Sequence, residues 1–242
     1  MRTPVKVAIV AAVVALAVAG AGLWWFFRDD APPPVALDTA VESVTTTETT
    51  AAEPTGIEGT WTVDRDSGEF DFETATGTFA GFRIQEELAS IGSATAVGRT
   101  GDVTGSITIL GTTVTDATFE VDLRTITTND SRRNDRVQQA LETGQFPTAT
   151  FALTAPIELG ERAGDGEPVT VTAAGDLTLH GVTNAVELAI EAQLVGGTVV
   201  VVGSTVITFA DYAVEPPSAP IVLSVEDHGI LELQLLLTRS AG

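Results

Sequence analysis

Four of the nine basic residues that follow residue 55 fall within thirteen positions. They are Arg124, Arg132, Arg133 and Arg136, and Asp130 and Asp135 lie among them. Two chemistries suit such a cluster. The guanidinium forks pair with carboxylates of the same segment and of the neighbouring sheet, or some of them lie at a cavity mouth and meet an anionic or polar head group. Little else in the chain is reactive. It has no cysteine, which excludes thiolate nucleophiles, disulfides, zinc-thiolate centres and a cysteine-linked lipid anchor. His180 stands before Gly181 at a turn, and His228 lies in EDHG, residues 226–229, a hairpin signature. Neither has ligands at metal-site spacing, so both are read as structural or solvent-exposed. No nucleophile elbow supports a Ser-His-Asp triad. Asp64, Asp66, Gly68 and Asp71 form an acidic turn, because two acids of a calcium loop are missing at that spacing. No glycine-rich phosphate loop opens a helix. The expectation is a protein that is not an enzyme and uses no metal or cofactor.

Charge narrows the partners. The 242 residues carry a formal net charge of −21. After residue 55 there are 27 acids against nine bases. Such a surface repels nucleic acid and anionic membranes. The same region, fewer than 190 residues long, is enough for one domain with a real core.

The elements that position these side chains read mostly as strands. Residues 118–123 set Phe119, Val121 and Leu123 against Thr118, Glu120 and Asp122. Residues 150–153 give Phe151 and Leu153, and residues 176–180 give Leu177 and Leu179. Residues 185–194 give Val186, Leu188, Ile190 and Leu194, and residues 230–237 give Leu231, Leu233, Leu235 and Leu237. One apolar and one polar face per strand predicts antiparallel sheet with solvent on one side. Glycines punctuate the strands, and at least eight of them at this spacing predict a sandwich or a closed barrel. Residues 129–141 break the period and predict a helix. Asn129 or Asp130 caps it, Val137 and Leu141 lie four apart, Gly144 ends it, and Pro147 prevents continuation. A polar helix between two strands fits best as a cover on an open barrel end.

The N-terminal region divides in three. Residues 7–27 are an uncharged run of 21, roughly 31 Å as a helix, which matches a bilayer core of about 30 Å. Arg2 and Lys6 place residues 1–6 in the cytoplasm, and Trp24 and Trp25 suit the outer interface. A cleaved signal peptide is the alternative, with small residues at Ala17 and Ala19. Residues 28–55 are rich in proline, threonine and acids and read as a disordered linker with no apolar period to bury. The domain proper is expected over 56–242. This arrangement implies a single-pass cell-membrane protein with its domain outside the cytoplasm.

TNDSRRNDRVQQALETGQFPTATF, residues 128–151, together with LTLHGVT, residues 177–183, resembles the YceI-like family of bacterial lipid-binding proteins. Weaker likeness lies in TWTVDRDSGEFDF at 60–72 and in VITFADYAV at 206–214, with its Asp211. The resemblance implies an all-β fold, an antiparallel eight-stranded lipocalin-like barrel with a short helical cap and a long apolar tunnel. It also implies binding of a polyisoprenoid or similar apolar chain. Candidate lining residues are Phe119, Leu123, Phe151, Leu177, Leu179 and Phe209, each also explained as ordinary barrel core. Two positions depart from the family pattern: Asn184 stands where a lysine often follows HGVT, and Asp66 precedes Ser67 where a histidine is often found. Both changes remove positive charge. The expected partners are an isoprenoid lipid or other long apolar ligand and the membrane through the N-terminal helix, with a homodimer left open. A second reading is a non-catalytic envelope interaction module whose barrel is filled by side chains.

Overall fold

The computed structural model describes residues 31–45, 56–65, 69–89, 92–216 and 222–240. The apolar run 7–27, and Asp66 and Gly68 of the acidic turn, lie outside these residues. Among the described residues, no helix is long and apolar enough to cross a membrane.

The alternating segments form an antiparallel sheet. Its strands are β1 (Gly59–Val63), β2 (Phe79–Leu88), β3 (Gly92–Thr100), β4 (Val103–Leu110), β5 (Thr113–Asp122), β6 (Thr127–Thr128) and β7 (Thr148–Leu153). They continue as β8 (Ile157–Glu158), β9 (Val169–Leu179), β10 (Val182–Val195), β11 (Thr198–Thr208), β12 (Val222–Val225) and β13 (His228–Arg239). Eight of them close a ring in the order β1-β4-β5-β7-β9-β10-β11-β13, and β13 returns to β1. Of the two expected architectures, the barrel is the one formed. Closure leaves these strands no free edge.

One stave is shared. The end of β13 pairs with β1 through Leu237 and Val63, while its beginning pairs with β2 through Ile230 and Arg83. β2 carries β3, and β3 carries β6. β3 and β4 are separated only by Gly101 and Asp102, so the pair runs almost as one strand. The wall is thereby extended past β1 toward the segment after β5. EDHG is not a hairpin: β12 and β13 both pair antiparallel to β2, so residues 226–227 are a corner within one line of chain.

The segment 129–141 is helical but divided. A 3-10 turn spans Ser131–Arg133, and a helix, α2, spans Asn134–Ala140. Asn129 does not cap it. Its side-chain oxygen accepts from Val97 N at 3.1 Å and its amide donates to Thr95 O at 3.0 Å, so it acts as a strand partner for β3. Asp130 caps the turn through Arg132 N. The exit comes before Gly144, at Glu142, which takes a positive φ of 44°. Val137 faces inward with Leu123, Ile126 and Leu179, and Gln138 donates to Leu123 O. These contacts hold the segment over one end of the barrel.

Residues 31–45 are not an unstructured linker. A helix, α1, spans Leu37–Thr45 and presents Leu37, Ala40, Val41 and Val44 at i, i+3, i+4 and i+7. They cover an apolar stripe on the outer face of the barrel made by Val200, Val202 and Leu236. Upstream, Pro32 and Pro33 offer carbonyls to Arg83 and Arg99. Both arginines also hold Glu232, at 2.9 Å and 2.8 Å. Arg99 is fully buried and lies over the Phe79 ring. Burial lowers the pKa of its guanidinium, and Glu232 opposes that shift. A buried ion cluster therefore fastens the N-terminal segment to the outside of the β13–β2–β3 wall.

Candidate functional site: an apolar lumen

Cross-strand partners share a face of the sheet, so the register fixes what points inward. Phe119 is opposite Phe151, and Phe151 is opposite Leu177. Leu188 is opposite Ala173, Ala192 opposite Val201, and Val201 opposite Leu235. The inward faces enclose a cavity of about 230 Å³ with an almost wholly apolar lining. β9 lines it from Val169 to Leu179. Those eleven residues, at about 3.3 Å each and tilted by roughly 40°, give a length on the order of 25 Å.

Why the interior stays open can be read from glycines beneath large side chains. A methyl group on Gly98 would fall 2.4 Å from Phe82, one on Gly105 2.5 Å from Phe119, and one on Gly175 2.3 Å from Phe151. On Gly203 it would fall 2.5 Å from Ile190. Each large side chain lies down on a bare stretch of neighbouring strand instead of standing into the lumen. Small residues such as Ala80, Ala117, Ala149 and Ala173 line other parts of the wall.

Specific residues stand at the two ends of the barrel. At one end Trp61 is fully buried and its indole donates to Ile57 O at 2.8 Å. Arg239 stacks on that ring and donates to Glu58 O and Gly56 O. At the other end Leu141 and Ile126 reach the cavity beneath α2. His180 lies nearby in a left-handed conformation with φ 52°. Its ring meets Phe146 edge-on, its Nδ1 donates to Tyr212 O at 3.1 Å, and its Nε2 is 3.6 Å from Glu142 Oε2.

The structure brings Phe119, Leu123, Phe151, Leu177 and Leu179 together on the cavity wall. Phe209 is elsewhere. β11 ends at Thr208, and a 3-10 turn over Phe209–Tyr212 carries its ring against Gly229 and off the lining. None of the four arginines lines the cavity. Arg124 pairs with Asp122, Arg132 with Asp130 and Arg133 with Glu86, at 2.6–2.8 Å. Arg136 is exposed on α2. Of these pairs only Arg133–Glu86 ties the cap to another part of the sheet; Arg124 and Arg132 pair within their own segment. Asp122 and Asp130 sit below the usual carboxylate range because they accept hydrogen bonds from the Arg124 and Arg132 side chains.

Tyr212 escaped the sequence reading. It is buried in the same cluster as Leu123, Leu177 and Leu179, and its hydroxyl meets the Asn184 side chain. Its only advance signal is a phenol within the weakly matching VITFADYAV stretch. No group of three metal-ligating side chains occurs among the described residues.

Fold and cavity together define a closed antiparallel barrel with an apolar lumen and a helical cap. The YceI-like domain profile matches residues 36–236, and the chain belongs to that family. The match starts beside α1, which agrees with α1 being part of the fold. The chain is 33% identical over 107 residues to a UPF0312 protein of Pseudomonas fluorescens, covering 43% of this chain and 53% of that one. It therefore spans about half the length of that curated relative. A polyisoprenoid binding domain from Saccharophagus degradans, implicated in plant cell wall breakdown, superposes with a TM-score of 0.56 at 20% identity. That match covers 74% of this chain and 98% of the other. BcnA of Burkholderia cenocepacia gives 0.52 at 16% identity, covering 72% and 98%. At such identities the likeness is one of fold.

Proposed function

We propose that this chain is a binding protein that encloses a polyisoprenoid or similar long apolar chain in its lumen, without turning it over. The observation that carries this reading is the cavity itself. Left empty, about 230 Å³ forgoes roughly 5 kcal/mol of packing at about 24 cal/mol per Å³. A bound chain recovers those contacts and gains about 0.8 kcal/mol for each buried CH₂. A narrow lumen on the order of 25 Å long suits a chain better than a compact molecule. Membership in the YceI-like family, and the polyisoprenoid named for the Saccharophagus domain, support the same choice of ligand.

The reading extends to location. The uncharged run 7–27 with its preceding Arg2 and Lys6 supports a single membrane anchor, with the barrel outside the cytoplasm. Because residues 31–45 lie on the barrel, only residues 28–30 of the sequence stand between it and the anchor. The barrel then sits close to the bilayer that holds its ligand.

Native mass spectrometry of the full chain, followed by organic extraction, tests the ligand. The expected result is a mass above that of the polypeptide, and release of an apolar molecule into the solvent. A bare polypeptide that takes up no isoprenoid from added vesicles overturns the proposal.

A further inference from the structure

The chain upstream of α1 climbs the outside of the barrel toward the capped end. α1 covers Leu236. Read backward from there, the Pro33 carbonyl accepts from Arg99, which shares a cross-strand row with Gly81 and Glu232. The Pro32 carbonyl accepts from Arg83, in the row of Ile230. That row adjoins Ile207, which packs with Val137 of the cap. Only Arg28, Asp29 and Asp30 separate Ala31 from the apolar run 7–27. Three extended residues reach at most about 11 Å, less than half of a wall on the order of 25 Å long.

The same end carries uncovered apolar side chains. Four large ones are exposed among the described residues: Leu110, Val206, Leu223 and Ile230. Val206 and Ile230 are cross-strand partners. They face outward, because the next residue, Leu231, lines the lumen. Leu223 is on β12, which joins β2 beyond Arg83, the partner of Ile230. Leu110 is the exception. It follows Ile109, the partner of Gly59, at the Trp61 end.

We infer that Val206, Ile230 and Leu223 form a membrane-docking surface, which seats the capped end of the barrel on the outer leaflet. This rests on the reading of residues 7–27 as an anchor and adds which end of the barrel the bilayer meets. The short tether brings the capped end to the lipid and holds the Trp61 end away from it. Apolar side chains there enter the boundary between head groups and acyl chains. Arg136, exposed on α2 without an ion pair among the described residues, can meet a lipid phosphate. Glu87, Glu226 and Asp227 are exposed around the apolar residues, so the surface suits zwitterionic lipid better than anionic lipid.

The chain has no cysteine, so single labels test this directly. The full chain is reconstituted into phosphatidylcholine vesicles with a polarity-sensitive fluorophore on Val206→Cys, Leu223→Cys, Ile230→Cys or Leu110→Cys. Leu110 is the control, as exposed as Val206 at 58% against 62% but at the far end. The three capped-end labels should shift to the blue and be quenched by nitroxide-bearing lipid, while the Leu110 label stays aqueous. With the label at Val206, Leu223→Glu together with Ile230→Glu should abolish the shift while the chain still floats with the vesicles. Aqueous spectra at all three positions on a vesicle-bound chain overturn the docking surface and leave the anchor intact. So does a lipid-quenched label at Leu110, or a shift that survives the two glutamates. A blue shift that lipid quenchers do not reach also overturns it, placing a second copy there if the shift grows with protein density and the upstream chain if it does not. A chain that does not float with the vesicles overturns the anchor reading together with the docking surface.

Discussion

Replacing Gly98 by alanine probes whether the lumen is truly hollow. The new methyl group would lie 2.4 Å and 2.5 Å from two Phe82 ring carbons and 3.2 Å from Ile126. Carbon atoms at rest sit about 3.5 Å apart, so the ring must withdraw by about 1 Å. Gly98 does not have a positive φ, so alanine adds no backbone strain there. Phe82 lines the cavity, and with open space before it the ring tilts inward at small cost. That cost is offset by the roughly 0.4–1 kcal/mol gained when glycine leaves the unfolded chain. The melting temperature should then stay within about 4 °C of wild type, the scale of 1 kcal/mol for a domain of this size. The inward ring narrows the lumen and displaces one or two CH₂ groups of ligand. At about 0.8 kcal/mol each, this weakens binding by roughly 4- to 15-fold. Calorimetry and titration with a fluorescent isoprenoid read both quantities. A packed interior gives the opposite pair: an overpacking loss toward about 3 kcal/mol, with melting lowered by more than about 8 °C, and unchanged binding. That outcome refutes the hollow lumen.

Three further outcomes follow from other parts of the structure. Ala173→Phe places a ring in mid-lumen, since Ala173 lines the cavity opposite Leu188; binding by titration should fall more than about tenfold while the melting temperature changes by only a few degrees. Glu232→Leu leaves Arg83 and Arg99 without their shared carboxylate; denaturant unfolding should show a loss of about 3–5 kcal/mol, and a protease should cut sooner within residues 31–45. The cap should resist mild acid. Asp122 and Asp130 have lowered pKa values, so their contribution is complete above the ordinary aspartate value of about 3.9 and is lost only as pH falls through the depressed values. Amide exchange over residues 123–140 should therefore be pH-independent, once the intrinsic rate is corrected, down to about pH 4; loosening between pH 6 and 5 would contradict this.

The barrel was legible because its strands alternate cleanly. Phe119, Phe151, Leu177 and Leu188 declare their inward face, and the register pairs them as the alternation requires. The cap was legible in outline for a similar reason, since a charged insert between strands has only an end to cover. Of its two candidate caps Asp130 serves and Asn129 does not, because Asn129 satisfies β3 backbone groups, a long-range role that a capping residue does not announce. Phe209 misled because it continues the alternation of β11 by one step beyond the point where the strand turns away. The largest omission was α1. Leu37, Ala40, Val41 and Val44 do have helical spacing, but four small apolar residues among threonines, prolines and acids bury little by themselves. Their partner was visible instead, in the unbroken valines 199–202 and leucines 235–237, which are apolar on both faces. A strand that is apolar outward needs a cover. Tyr212 and Glu232 could not be read at all, because a lone phenol or a lone acid acquires meaning only from what the fold places around it.

The central claim is that a chain lies inside the barrel. Crystals of the protein soaked or grown with an isoprenoid chain brominated along its length would locate it by anomalous scattering. A row of bromine peaks is expected inside the wall formed by Phe119, Phe151, Leu177 and Leu188, running from the Trp61 end toward the cap. Peaks confined to the outer surface, with side chains meeting across the interior, would contradict it.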